Sequence, residues 1–225
     1  AKGQPDIHLE NLERTFASRL STRMRLVLAT TAASVAIAVV ACRRQRQRDA
    51  EKLLAAVRTL ARYNAWTNDV FLERVASLPD DEVTKPRATL FQSLVHTLNH
   101  NFVIEDIFRS HLLGRSHGYT ARNTASPPPI ASLRTLQREV DDWLIRWADA
   151  VTYDELFARR RFKFVGDQEA KGDMSAFEML VHIINHTTYH RGWAVQMLME
   201  PGNSRPSTTT DLPVYLRDVG RVDPQ

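Results

Sequence analysis

The hydrophobic positions of residues 50–150 recur at intervals of three and four, which predicts three amphipathic helices. The first spans about residues 50–78 and ends at the sequence Leu-Pro-Asp-Asp. The second spans about residues 89–113 and stops at Gly114, and the third runs from near Ile130 to Ala150. Residues 114–129 between them are polar and end in Ser-Pro-Pro-Pro, which indicates a long surface connection.

The pattern changes after the third helix. Residues 158–173 contain a short alternation of charged and apolar side chains followed by glycines, which predicts an extended excursion or a small hairpin. Ser175 and Glu178 have the spacing of a capping box, which opens a fourth helix over residues 175–200 that stops at Pro201-Gly202. We expect the segment at 212–218 to pack back on the helices. The predicted fold is an all-α four-helix bundle with a long connection and a small extended excursion before the last helix.

The N-terminal segment has a different character. Residues 26–42 carry no charge and precede an arginine cluster at 43–48, but the stretch is short and only mildly apolar for a bilayer span. Three interpretations stay open: a marginal membrane anchor, a signal running from Met24 to Cys42, and an appended or poorly ordered helix without a targeting role. The predicted organisation is an extension over 1–49, a bundle domain over 50–218 and a tail over 219–225.

Charge and cysteine content narrow the classes of function. The sequence has a pI of 9.5, but residues 1–52 hold ten Lys and Arg against five Asp and Glu, whereas the other 173 residues hold twenty against twenty-one. The bundle is therefore close to neutral, and we expect no nucleic-acid partner. Because Cys42 is the single cysteine, a metal bound by this chain needs nitrogen or oxygen ligands.

Histidines are concentrated on two of the predicted helices. The sequence Leu-Val-His-x-x-Asn-His occurs at 94–100 and again at 180–186. Residues four apart share a helix face, so His182, His186 and His190 form one stripe, and His96 and His100 form another. If the two stripes face each other, imidazoles from both helices can hold one divalent ion with open coordination positions. The spacing leaves open which three bind.

Several segments resemble the DinB/YfiT family of metal-dependent helical proteins, which is distinct from the translesion polymerase of the same name. They are NHTTYHRGW at 185–193, LNHNFVIEDIF at 98–108, ARYNAWTND at 61–69 and TDLPVYLRD at 210–218. The resemblance covers about residues 53–218. It implies a four-helix bundle, commonly dimeric, that holds one divalent ion through three histidines.

Carried onto this chain, the resemblance assigns the metal ligands to His100, His186 and His190. Other residues are expected in the pocket wall or around the ligands: His96, His182, Tyr63, Asn64, Trp66, Arg191 and Trp193. The family usually has Gln where this chain has Trp193, and we expect this ring to reshape the pocket without touching the ligands. For Arg191 a structural ion pair is favoured over contact with a substrate carboxylate.

Two functions are consistent with this resemblance. The first is a metal-dependent enzyme, a transferase or hydrolase, that uses zinc or nickel to activate a low-molecular-weight thiol or water and acts on a small molecule. The second is a non-catalytic, stress-related bundle that binds a metal or ligand as a homodimer. The catalytic base is not predicted. The expected location is the cytoplasm, with membrane tethering only if residues 26–42 are an anchor.

Overall fold

The computed structural model describes residues 7–199 and 209–221, with the backbone alone for residues 7–20, 22–23, 32–33 and 167–169. The chain divides into two compact units, Ala1–Lys52 and Leu53–Gln225. In chain order the elements are α1 (Ile7–Ala76), α2 (Asp80–Thr84), α3 (Leu94–Leu112), α4 (Ile130–Ala150), α5 (Tyr153–Phe157), β1 (Arg159–Phe164), β2 (Asp167–Ser175), α6 (Ala176–Leu198) and α7 (Leu212–Asp218).

The described part of the N-terminal unit is helical and belongs to α1. Its large apolar side chains are exposed, among them Leu26, Leu28 and Ile37. An 18-residue window of this helix has a mean hydropathy of 2.0 and is apolar and long enough to cross a membrane. A single helix of this kind near an N-terminus is weak evidence for a span, because a signal sequence has the same composition.

The second unit confirms the predicted all-α bundle. Its long helices are the part of α1 from Leu53 onward, α3, α4 and α6. Helix α3 is central, because 16 of its 19 residues are buried and it packs against both α4 and α6. Helix α4 buries a single stripe, as its spacing of three and four predicts. The largest fully buried side chains include Leu94, Leu133, Leu144, Met179, Leu180 and Ile183.

The second helix begins later than the sequence predicts. It starts at Leu94 rather than near Thr89, because the side chain of Ser93 accepts a hydrogen bond from the His96 N–H and caps the helix. The five residues before Ser93 form turns, and Gln92 adopts a φ of 62°, in the left-handed region. The short helix α2, which follows the predicted break at 78–81, was not predicted.

The predicted excursion before the last helix is an antiparallel hairpin of β1 and β2. Phe162 lies opposite Gly172, and a Cβ added at Gly172 would lie 2.2 Å from the Phe162 ring. The hairpin therefore accepts the ring only because residue 172 has no side chain. Helix α6 begins as predicted with a capping box, in which Ser175 and Glu178 exchange hydrogen bonds. The predicted stop at residues 201–202 lies outside the described residues.

The C-terminal segment packs on the bundle, as expected. Helix α7 buries Tyr215 against Tyr63 and Trp66, with ring centroids 5.8 and 5.6 Å apart. The Tyr63 hydroxyl donates a hydrogen bond of 2.7 Å to the backbone oxygen of Thr210. These two aromatic residues of α1 therefore hold the C-terminal segment in place.

Candidate metal centre

Three histidine rings converge where α3 and α6 pack together. His100 lies on α3, and His186 and His190 lie one turn apart on α6. The Nε2 atoms of His100 and His186 are 3.1 Å apart, and one nitrogen from each of the three rings lies within 4.8 Å of the other two. Since the ring centroids are separated by only 4.6–4.9 Å, the three side chains form one compact cluster of nitrogen donors.

The cluster is built to remain uncharged. Burial lowers the pKa of all three rings, to about 3 for His186 and to about 4 for His190. The neighbouring rings lower the pKa of His186 further, because two adjacent imidazolium ions would repel each other. Neutral imidazole is the form that binds a metal ion, so the three rings hold free lone pairs at neutral pH.

Hydrogen bonding fixes the tautomer of His100. Its Nδ1 lies 2.6 Å from the backbone oxygen of Arg122, so Nδ1 carries the proton and donates it to that carbonyl. Nε2 is then the atom with a lone pair, and it is the atom that faces His186. A histidine that ligates a metal usually donates its other ring N–H to a carbonyl or carboxylate, which is the arrangement found here.

The connection between α3 and α4 delivers that carbonyl. The buried side chain of Asn99 donates hydrogen bonds to Asn123 and Thr124, and the amide of Asn123 donates one of 3.0 Å to the backbone oxygen of His96. Because these bonds hold the two residues that directly follow Arg122, they fix the segment against α3 and place the Arg122 carbonyl beside His100.

The donor set fits a divalent ion that accepts nitrogen ligands. The Nδ1 atoms of His186 and His190 are buried and have no hydrogen-bond partner among the described residues. Because Nε2 is the atom of His186 that faces His100, its Nδ1 is the other ring nitrogen, and the support for an ion comes from the chemistry of the donors in the cluster. No carboxylate or thiolate of the described residues joins the cluster. Such a site suits zinc or nickel better than calcium or magnesium, which prefer oxygen ligands.

Aromatic side chains cover one side of the cluster. Phe91 stacks on His100 with ring centroids 4.2 Å apart, and Trp193 meets His190 edge to face at 5.0 Å. The expectation that Trp193 leaves the ligands untouched is therefore wrong, because one helical turn separates it from His190 and carries both rings to the same side. Gln92, which follows Phe91, has a left-handed backbone conformation that few residues other than glycine adopt. This turn of the backbone places the Phe91 ring over His100.

A cavity of about 380 Å³ lies beside His186. His186 and His182 of α6 line it together with Phe108 of α3 and Phe162 and Phe164 of the hairpin. His182 is half-buried, with its ring 4.4 Å from Phe108 and 5.4 Å from His186. A small molecule in this cavity would lie next to His186, so the cavity gives the cluster access to a ligand.

A buried polar network lies beside the cluster. Asn68 donates hydrogen bonds of 3.0 Å to both Glu105 and Asp141, and it accepts one of 3.1 Å from Arg191. Burial raises the pKa of Glu105 to about 7 and raises that of Asp141, which the neighbouring Glu105 carboxyl raises further. The network therefore holds fewer negative charges at neutral pH than two free carboxylates would.

The same network sets the rotation of α6. Thr187 donates a hydrogen bond of 3.1 Å to Asn64, and Arg191 donates one to Asn68, so two residues of α6 are bound to α1. Each of them directly follows a histidine of the cluster. Because neighbouring residues are about 100° apart around a helix, fixing Thr187 and Arg191 turns His186 and His190 toward α3.

The structure separates the predicted site residues into groups. It brings together His100, His186 and His190, and it places His182 and Trp193 next to them. Tyr63 and Trp66 contact α7, whereas Asn64 and Arg191 belong to the buried network. His96 is half-buried one turn before His100, and its described hydrogen bonds are through its backbone N–H and its backbone oxygen. The favoured role for Arg191 was an ion pair, whereas its described contacts are hydrogen bonds to Asn68 and Thr188.

Sequence reasoning missed Phe91 and Arg122. Phe91 was placed inside a helix predicted to begin near Thr89. Ser93 is a good N-cap residue, and its position could have shown that the helix begins after Phe91. Arg122 contributes a backbone carbonyl to His100, and no side-chain pattern reveals such a contact. The partners of Asn68 on α3 and α4 lie 37 and 73 residues away, beyond any local periodicity.

Fold and site together define a helical bundle with a three-histidine candidate metal centre. The model of the DinB family matches residues 49–220, and the chain belongs to that family. It is 24% identical over 169 residues to protein DinB of Bacillus subtilis (strain 168), covering 70% of this chain and 91% of that protein. Its fold matches a DinB-like protein of Bacillus cereus ATCC 10987 with a TM-score of 0.50 and 18% identity, covering 65% of this chain and 91% of the other.

Proposed function

We propose that this chain is a metal-dependent enzyme that binds one divalent ion, zinc or nickel, through His100, His186 and His190. The observation that carries the proposal is the convergence of three neutral imidazoles, with nitrogens within 4.8 Å of one another, next to a cavity of about 380 Å³. Imidazole suits zinc and nickel alike, so the ligand set supports both ions. The substrate in this proposal is a small molecule that enters through the cavity.

The residues around the cluster have distinct tasks in such an enzyme. The Arg122 carbonyl holds the His100 ring in the tautomer that leaves Nε2 free. Phe91 and Trp193 keep water from one side, and the cavity beside His186 admits a ligand. A divalent ion held by these three rings would lower the pKa of a bound thiol or water into the neutral range and so supply a nucleophile.

The nucleophile is a low-molecular-weight thiol or water rather than a group of the protein. The described residues that line the cavity include no cysteine, serine or threonine. A thiol entering from solution would make the protein a transferase, and water would make it a hydrolase. Assaying turnover of electrophilic substrates with and without several added thiols separates the two activities.

Elemental analysis of the purified protein tests the metal site. We expect near-stoichiometric zinc or nickel in the wild type and a loss of most of it in His100→Ala, His186→Ala and His190→Ala. The matched control is His182→Ala, which removes a histidine from the same helix, one turn away and outside the cluster. The proposal fails if His182→Ala loses as much metal as the three ligand variants, or if the wild type takes up none.

The alternative is a non-catalytic bundle that binds a metal or a small ligand. It is supported by one observation, that no carboxylate of the described residues joins the histidine cluster to act as a base. A screen of electrophiles with several thiols and several metals separates the two functions. Metal-dependent turnover that is lost in His186→Ala supports the enzyme, and tight ligand binding without turnover supports the binding protein.

A further inference from the structure

The cavity beside the histidine cluster has mostly apolar walls. Ile104, Ile107 and Phe108 contribute one side from α3, and Phe162, Phe164 and Val165 contribute the other from the hairpin. A volume of about 380 Å³ lies at the lower end of the range for small-molecule sites. A compact apolar group fits such walls, because it removes its own surface and theirs from water.

Two cationic side chains interrupt these walls. Arg122 and Lys163 line the cavity, and neither has an ion pair among the described side chains. The described lining contains no Asp or Glu. The positive charge of Arg122 lowers the pKa of both His186 and His100, so its guanidinium acts on the same space as the cluster. An anionic group next to His186 would therefore be stabilised by a cation that has no other described partner.

The geometry of the hairpin keeps the apolar wall in place. The ring of Phe162 covers Gly172 and contacts Phe108 and His111, with ring centroids 5.9 and 4.4 Å apart. Phe164 leans on Phe162 at 5.3 Å while remaining 48% exposed. An exposed aromatic ring at the mouth of a cavity is a surface on which an apolar ligand can pack.

We infer that this cavity binds a small organic acid with an apolar body, its carboxylate toward Arg122 and Lys163 and its hydrocarbon part between α3 and the hairpin. The inference rests on the proposed function, because it names the substrate class of that site. The acid is held by the protein's own cations and apolar walls. Its binding therefore does not require the metal ion.

A neighbouring cavity supplies the matched control. It has a volume of about 450 Å³, and Lys163 lines both cavities, whereas Arg115 and Arg161 line only this one. Arg122 lines the first cavity and not the second. Arg122→Gln and Arg115→Gln thus remove one exposed positive charge each, from different cavities of the same protein.

Isothermal titration calorimetry with 4-phenylbutyrate and its neutral amide tests the inference. We expect the full-length protein to bind the acid more tightly than the amide. Arg122→Gln should weaken binding of the acid about fivefold or more, the effect of one partly exposed charge pair, and leave binding of the amide unchanged. Arg115→Gln should bind both compounds as the wild type does.

The titrations are performed on metal-loaded protein and on protein treated with a chelator. Equal effects of Arg122→Gln in both samples support the inference even if the protein takes up no metal, so the two proposals fail separately. Acid binding that disappears with the metal and ignores Arg122→Gln would overturn it, since the ion alone would then hold the carboxylate. A loss confined to Arg115→Gln would also overturn it, by moving the anion to the neighbouring cavity.

Discussion

Replacing Asn68 by alanine should lower the stability of the bundle strongly, although only one small side chain is lost. Its amide donates to Glu105 and to Asp141, both at 3.0 Å, and its oxygen accepts from Arg191 at 3.1 Å. All three partners are charged or ionisable, and each is buried. Replacing Asn68 by Ala therefore leaves three buried polar groups with fewer hydrogen bonds at once.

The size of the effect follows from these contacts. A hydrogen bond to a charged group contributes about 1.5–3 kcal/mol, and leaving a buried polar group without its partner costs about 1–3 kcal/mol. Gln137 and Asn64 also donate hydrogen bonds to Asp141, at 3.3 and 3.5 Å, so this carboxyl would keep two hydrogen bonds without Asn68. Since three buried groups lose a hydrogen bond while both carboxyls keep other donors, we expect Asn68→Ala to lower the free energy of unfolding by about 3–5 kcal/mol.

Asn101 offers a control of the same residue type and similar burial. It is 4% exposed against 6% for Asn68, but its described hydrogen bond is a single long one, of 3.4 Å, to the backbone oxygen of Thr187. We expect Asn101→Ala to cost about 1 kcal/mol. Urea unfolding of both variants at pH 7 measures the difference, and equal losses would refute the reasoning that the charged partners make Asn68 critical.

Two further predictions concern the histidines and the segment that covers them. The unfolded chain protonates histidine near pH 6.5, whereas the folded protein holds the pKa of His186 at about 3 and that of His190 at about 4. At these two rings the unfolded state binds more protons, so the pair lowers the free energy of unfolding of the metal-free protein as the pH drops from about 6.5 to 4, while Glu105 and Asp141, whose pKa is raised, act in the opposite direction. Urea unfolding over this range should show a smaller slope for His186→Ala, and an unchanged slope would contradict the assignment. Gln92 has a φ of 62°, so Gln92→Val should destabilise the fold by about 1–2 kcal/mol, whereas Gln92→Gly should change its stability by no more than about 0.5 kcal/mol. Thermal unfolding measures both variants, and equal effects would exclude backbone strain at this position.

The sequence predicted the elements that local chemistry specifies. The apolar stripe of α4 gave both ends of that helix, and the Ser175 and Glu178 pair gave the start of α6. The start of α3 was predicted too early because residues 89–91 continue the apolar pattern although Gln92 takes a left-handed conformation. A single turn of helix such as α2 is too short for periodicity to detect.

The candidate site was predictable only in part. Histidine spacing indicated two stripes, and the family resemblance selected three residues whose rings the structure brings together. The sequence did not show that Asn68 and Arg191 would orient α6, because their hydrogen bond spans 123 residues. Nor did the sequence show the cavity. Phe162 of the hairpin forms part of its wall, and the position of this ring requires a glycine, Gly172, on the paired strand.

The hydrogen bond from His100 to the Arg122 carbonyl makes the irregular connection a working part of the centre. Every amino acid has a backbone carbonyl. The orientation of the His100 ring therefore depends on where residue 122 lies along the connection and not on which side chain it carries. Shortening the stretch between Gly114 and Arg122 by one residue would leave all three imidazoles of the cluster in place and still free the His100 ring to flip. A change in the length of this stretch should therefore disturb the His100 ring more than a change of residue type within it.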